Sequence, residues 1–199
     1  MNNDHDDLTL SRRTLIVSAA FVPLAALTAT AQTKPPVPVL DPGQRKILEA
    51  FVDRLIPADE LGPGALQAGV AEYIDRALGG YIAAEKGSIG DGLASVDAFA
   101  RSSQGSAFAD LSPEKRDAVL TELEAGQGFP NARNFFNRVR RLTLEGMFGD
   151  PHWGGNNNFV GWDLIKYPGP RPAVGPEEQK MGVEIKPYRK SAWGTEHGH

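Results

Sequence analysis

Between residues 41 and 148 the apolar side chains recur every three or four positions and nowhere alternate, a period that admits amphipathic helices and excludes a half-buried sheet. Asp41 followed by Pro42 reads as a helix start, because the carboxylate can accept a free first-turn amide and proline there forfeits no hydrogen bond. Ile47, Leu48, Phe51, Val52, Leu55 and Ile56 then form one stripe that stops at Pro57. After the breaker-rich loop from Pro57 to Gly64, residues Ala65, Leu66, Val70, Tyr73, Ile74, Ala77 and Leu78 predict a second helix, ended by Gly79 and Gly80.

Leu93, Val96, Phe99 and Ala100 predict a third helix, placed after a surface turn at Gly87 to Gly92. Ser112, Pro113 and Glu114 mark a fourth start, with the Ser112 hydroxyl as cap and Val119, Leu120 and Leu123 on the buried side. Phe135, Phe136, Val139, Leu142, Thr143 and Met147 fit a fifth, closed by Gly146, Gly149 and Pro151. The expected fold class is all-α: a small bundle of about five helices over residues 41 to 148. A long irregular Gly/Asn/Trp-rich C-terminal tail, residues 149 to 199, follows, and it carries all three tryptophans, Trp153, Trp162 and Trp193. Large aromatics in such a segment pin it onto its own core or make an interface hot spot, and both are expected here.

Upstream, Ser11-Arg12-Arg13-Thr14-Leu15-Ile16 leads into an apolar run to Ala26, and Ala29 and Ala31 supply the small residues of a cleavage site. Residues 1 to 31 therefore read as a twin-arginine signal peptide; the run is interrupted by Pro23 and short for a membrane span. Residues 32 to 40 carry three prolines and read as an extended tether. That export route carries folded proteins, commonly with a cofactor already inserted, yet the chain shows no cofactor motif. One explanation is that the signal serves a partner that lacks its own.

Chemistry-bearing groups are sparse. The chain has no cysteine, which removes thiolate metal sites, iron-sulfur clusters, attached c-type haem and a cysteine nucleophile. A net charge of −4 without a basic stripe argues against nucleic acid. Asp59 and Glu60 lack the further carboxylates of a calcium loop, and the Gly87 to Gly92 stretch lacks the order of a phosphate-binding loop. His152, His197 and His199, the histidines beyond the leader, form no triad or paired-histidine zinc motif. No catalytic residue and no metal site is assigned, and His152 beside Trp153 is the one candidate ligand or electron-path contact.

Two blocks carry a resemblance. Leu55-Ile-Pro-Ala-Asp-Glu-Leu-Gly-Pro-Gly-Ala65 with Ala68-Gly-Val-Ala-Glu-Tyr-Ile-Asp75 is one. Thr143-Leu-Glu-Gly-Met-Phe-Gly-Asp-Pro-His-Trp-Gly-Gly-Asn156 with Val160-Gly-Trp-Asp-Leu-Ile-Lys-Tyr-Pro-Gly169 is the other. Together they resemble the gluconate 2-dehydrogenase subunit 3 family, small subunits of membrane-bound sugar and polyol dehydrogenases. The resemblance implies no cofactor in this chain. It implies a large FAD-containing partner of the glucose-methanol-choline type and, commonly, a multihaem c-type cytochrome. Gly62, Pro63 and Gly64 set a sharp turn, Gly154, Gly155 and Gly161 permit close backbone approach, and Asn156 can bond free peptide groups.

The expected role is a non-catalytic small subunit, acting in twin-arginine co-export, maturation and stability of the flavoprotein at the periplasmic, outer face of the inner membrane. Its partners are then the flavoprotein, the cytochrome and the twin-arginine translocase, with Trp153, Gly154, Gly155, Asn156, Trp162 and Tyr167 as candidate partner contacts. Two other roles stay open: direct contribution to the active site or electron path, and a stand-alone periplasmic binding protein. The substrate is a property of the flavin-bearing subunit.

Overall fold

The computed structural model describes residues 38 to 171 and 173 to 194. Arg12, Arg13, Ala29 and Ala31 of the expected leader, the expected tether up to residue 37, and His197 and His199 lie outside the described residues. The fold is all-α: six helices and no strand occur among the described residues. α1 is Pro42–Leu55, α2 Val70–Leu78, α3 Lys86–Gln104, α4 Pro113–Glu124, α5 Ala132–Phe148 and α6 Val160–Leu164.

α1 is the hub, packing against each of α2 to α5. Asp41 accepts the Gln44 amide at 2.8 Å while the Gln44 side chain accepts the Asp41 amide at 3.2 Å, so two free donors are satisfied at once. Leu48, Phe51 and Val52 are then fully buried. The Phe51 ring meets Phe108, Phe135 and Phe136 at 5.9 to 6.2 Å, which joins the centre of α1 to α5 and to the one-turn helix Phe108–Asp110. Arg54 forks onto Asp117 at 2.7 and 2.9 Å, tying α1 to α4; Arg138 of α5 does the same to Glu85 at 2.6 and 2.7 Å, just ahead of α3.

Several expectations need correction. Gly87 to Gly92 is not a surface turn but the first part of α3. Gly90 and Gly92 are buried there, and a Cβ on Gly92 would stand 2.1 Å from Cε2 of Phe135, so glycine lets α5 seat its ring against α3. The second helix starts at Val70 rather than Ala65, because Gly69 turns left-handed at φ +72°. Ser112 makes no hydrogen bond to a helix amide. The Glu114 side chain folds back instead: its own amide and then the Ser112 hydroxyl hold its carboxyl below the usual range. Gly146 does not end α5 but lies inside it, against Tyr73.

The tail also holds more structure than its composition suggests, with α6 preceded by the short 3-10 turns Pro151–Trp153 and Asn157–Phe159. At the other end, Val39 and Leu40 are not free tether. Both oxygens of the buried Asp75 accept the Val39 amide at 3.1 and 3.2 Å, one of them takes Leu40 at 2.7 Å, and Leu40 is buried. No helix among the described residues is long and apolar enough to cross a membrane.

Candidate functional site

The two sequence blocks, far apart along the chain, meet in space. The Asn157 amide donates to the Ala68 carbonyl at 3.0 Å, and a Cβ on Gly69 would strike the Asn157 amide group at 2.3 Å. Gly154, left-handed at φ +97°, leaves room for the Arg76 guanidinium, which would stand 2.6 Å from a Cβ there. Gly62 faces Leu164, and Gly146 faces the Tyr73 ring. The first block's loop and α2 are thereby closed onto the end of α5 and the start of the tail.

The second block is itself closed at the level of backbone. The segment after α5 turns back on that helix's C-terminal end, where carbonyls lack intrahelical partners. Asn156, fully buried and left-handed at φ +50°, donates to the Gly149 carbonyl at 2.9 Å and accepts the Gly161 amide at 2.8 Å. The Trp162 indole donates to the Phe148 carbonyl at 2.9 Å. Gly155 and Gly161 lie so close to the α5 backbone that added Cβ atoms would stand 2.1 Å from the Gly146 carbonyl oxygen and 1.8 Å from that of Met147.

The six candidate contact residues therefore divide. Gly155, Asn156 and Trp162 are buried inside this chain, Gly154 is half-buried against Arg76, and Trp153 and Tyr167 reach solvent. Trp153, 54% exposed, stands edge-on to His152 at 4.9 Å and to Trp193 at 5.9 Å, and His152 stacks on Trp193 at 5.7 Å. Tyr167 packs edge-on against Trp162 at 5.0 Å and borders a cleft of about 520 Å³ shared with Glu184 and Ile185. Exposed Leu61 and Leu66 flank the junction on the first block. Asp59 and Glu60 are exposed, and no group of three metal-ligating side chains occurs among the described residues.

Sequence reasoning missed two aspartates. Asp75 anchors Val39 and Leu40, but a carboxylate at the end of an amphipathic pattern gave no sign of which amides it would meet. Asp150 accepts the His152 amide at 2.9 Å and the Ala192 amide at 2.8 Å, tying the tail's end to the junction; only its place before Pro151 hinted at a capping role. Burial alone would raise its carboxyl, but the Ser191 hydroxyl and the His152 and Ala192 amides outweigh that and hold it below the usual carboxylate range. A carboxyl depressed by folding stabilises the fold above its unfolded value, and that contribution is lost as pH falls through the folded value. From about pH 5 downward the natural chain is therefore expected to lose stability more steeply than Asp150→Asn. Urea unfolding of both proteins across that range checks it; parallel slopes would remove Asp150 as the source.

No curated protein and no solved structure matches the chain. The family model for gluconate 2-dehydrogenase subunit 3 matches residues 42 to 169, which spans α1 to α6 and both blocks of the junction. The chain belongs to the gluconate 2-dehydrogenase subunit 3 family, accessory subunits of membrane-associated, multi-subunit dehydrogenase complexes.

Proposed function

We propose that this chain is the non-catalytic small subunit of a periplasmic FAD-dependent sugar or alcohol dehydrogenase, and that it escorts, matures and stabilises the flavoprotein subunit. The observation that carries the reading is the junction: two blocks inside the family match meet through the Asn157–Ala68 backbone bond and through glycines packed on the Asn157, Arg76 and Tyr73 side chains, while the second block folds back on α5 so closely that Gly155 and Gly161 admit no side chain. Apolar Leu61, Leu66, Trp153 and Tyr167 remain exposed around it. A rigid turn surface with aromatic and aliphatic anchors suits docking to a large, preformed partner. The partner is a glucose-methanol-choline type subunit that holds the FAD, with a multihaem c-type cytochrome as the third member. The Arg12-Arg13 leader supplies the route through the twin-arginine translocase to the outer face of the inner membrane.

Mild affinity purification of the tagged chain, with the visible spectrum and the masses of co-purifying chains recorded, tests the reading. A much larger flavin-bearing partner is expected, with or without haem absorption; a colourless chain alone would overturn it. In cells carrying Arg12→Lys/Arg13→Lys, both subunits are expected to stay in the cytoplasm. A flavoprotein that still reached the periplasm would end the escort role while leaving a structural one.

A further inference from the structure

The arm that follows residue 169 lies outside the family match, yet its far end returns to the second block. The Tyr188 amide donates to the Pro168 carbonyl at 2.7 Å. Arg189 donates to both Asp163 oxygens at 2.7 and 2.9 Å and to the Asn158 carbonyl at 3.1 Å. Ser191 is buried, although it belongs to a segment without helix or strand; its hydroxyl binds the Asp150 carboxylate and accepts the Trp193 amide at 3.0 Å. Residues 188 to 193 are thus a strap fastened across the second block by polar groups.

One carboxylate decides where the strap ends. Asp150 gives one oxygen to the His152 amide and the other to the Ala192 amide, so a single side chain holds the Pro151–Trp153 turn and the strap in register. The rings meet as a result: Trp193 stacks on His152 and stands edge-on to Trp153, whose centroid is 5.9 Å away. Among the described residues Trp193 is the one aromatic ring that Trp153 meets beyond its own turn.

Trp153 and Trp193 stay 54 and 63% exposed, so their contact takes little apolar surface out of water and adds little to folding. What it takes away is freedom. An exposed indole on a short turn otherwise rotates about two side-chain bonds, and a partner that seats it must first fix it. We propose that the strap is a preorganising clamp, in which Trp193, placed by Asp150, holds the Trp153 indole in the orientation used for docking. The clamp rests on the reading of Trp153 as a docking anchor, and Asp150 and Trp193 are positioning residues that act through it.

The full chain labelled with a fluorotryptophan carries one fluorine resonance for each of its three tryptophans, assigned through Trp153→Phe and Trp193→Phe. Ring currents from Trp193 and His152 should displace the Trp153 resonance from that of a freely rotating indole. Trp193→Ala removes the ring, and Ala192→Pro removes the amide that Asp150 accepts. Both are expected to return the Trp153 resonance toward the free position and to narrow it, with the Trp162 resonance unmoved as the mark of an intact core. Against the purified larger dehydrogenase subunit, each should weaken association by about two- to tenfold, the scale of immobilising one side chain, and Trp193→Phe should recover most of the loss.

A Trp153 resonance that stays in place in both variants overturns the proposal, whatever the association shows. Normal association by a variant whose Trp153 resonance has moved overturns it too, because the freed indole would then make no difference to docking. A Trp153→Ala chain that binds like the natural one removes the docking reading on which the clamp rests. The resonance is read without a partner, so the two failures are told apart.

Discussion

Gly161→Ala is expected to destabilise the chain by about 3 kcal/mol or more, near the upper end of what a single added methyl costs in a packed interior. The obstacle is backbone, not a side chain that can rotate away: the new Cβ would lie 1.8 Å from the Met147 carbonyl oxygen and 2.8 Å from its carbon. Relief requires moving α6 off the end of α5, and that movement also stretches the 2.8 Å bond from the Gly161 amide to Asn156. Trp162 follows Gly161 directly and loses the geometry of its bond to the Phe148 carbonyl. Denaturant unfolding should show the loss, with a red-shifted Trp162 emission in the folded baseline. A variant within about 0.5 kcal/mol of the natural chain would mean that the junction yields easily and is not the rigid surface described.

The elements legible in the sequence are those whose signals are local. α1 could be bounded almost to the residue, because Asp41 and Gln44 complete a capping box between themselves, Pro42 fills the first helical position, and Pro57 stops the helix without help from elsewhere. α3 was only half legible for the opposite reason. Each glycine between 87 and 92 disfavours helix by about 1 kcal/mol relative to alanine, and the compensating contacts come from Phe135 and Gln44, distant in sequence. Local propensity loses there to tertiary packing. The junction shows the same division: the glycines and Asn156 signalled tight turns, but nothing in their spacing said that Ala68 and Gly69 would receive Asn157. Trp162 and Trp153, both tryptophans of one Gly/Asn-rich stretch, separate into a buried bracket and an exposed anchor only once α5 is in place.

That separation sets the second large expected effect. On the proposed docking surface, Trp153→Ala is expected to weaken association with the larger dehydrogenase subunit by about thirtyfold or more, the scale of an aromatic hot spot. The same substitution should leave thermal stability almost unchanged: Trp153 is 54% exposed, and its ring contacts are with surface neighbours, His152 and Trp193. Trp162→Ala should do the reverse, destabilising the chain by about 3 kcal/mol or more through lost packing and an unpaired Phe148 carbonyl. Val174→Ser, a comparably exposed apolar position beyond the family match, serves as the control and should leave the association unchanged. Titrating each variant against the purified partner subunit, alongside thermal unfolding, separates docking from folding. If Trp153→Ala binds like the natural chain while Val174→Ser does not, the partner sits on the C-terminal arm rather than on the junction, and the apolar side chains around the two blocks need another explanation.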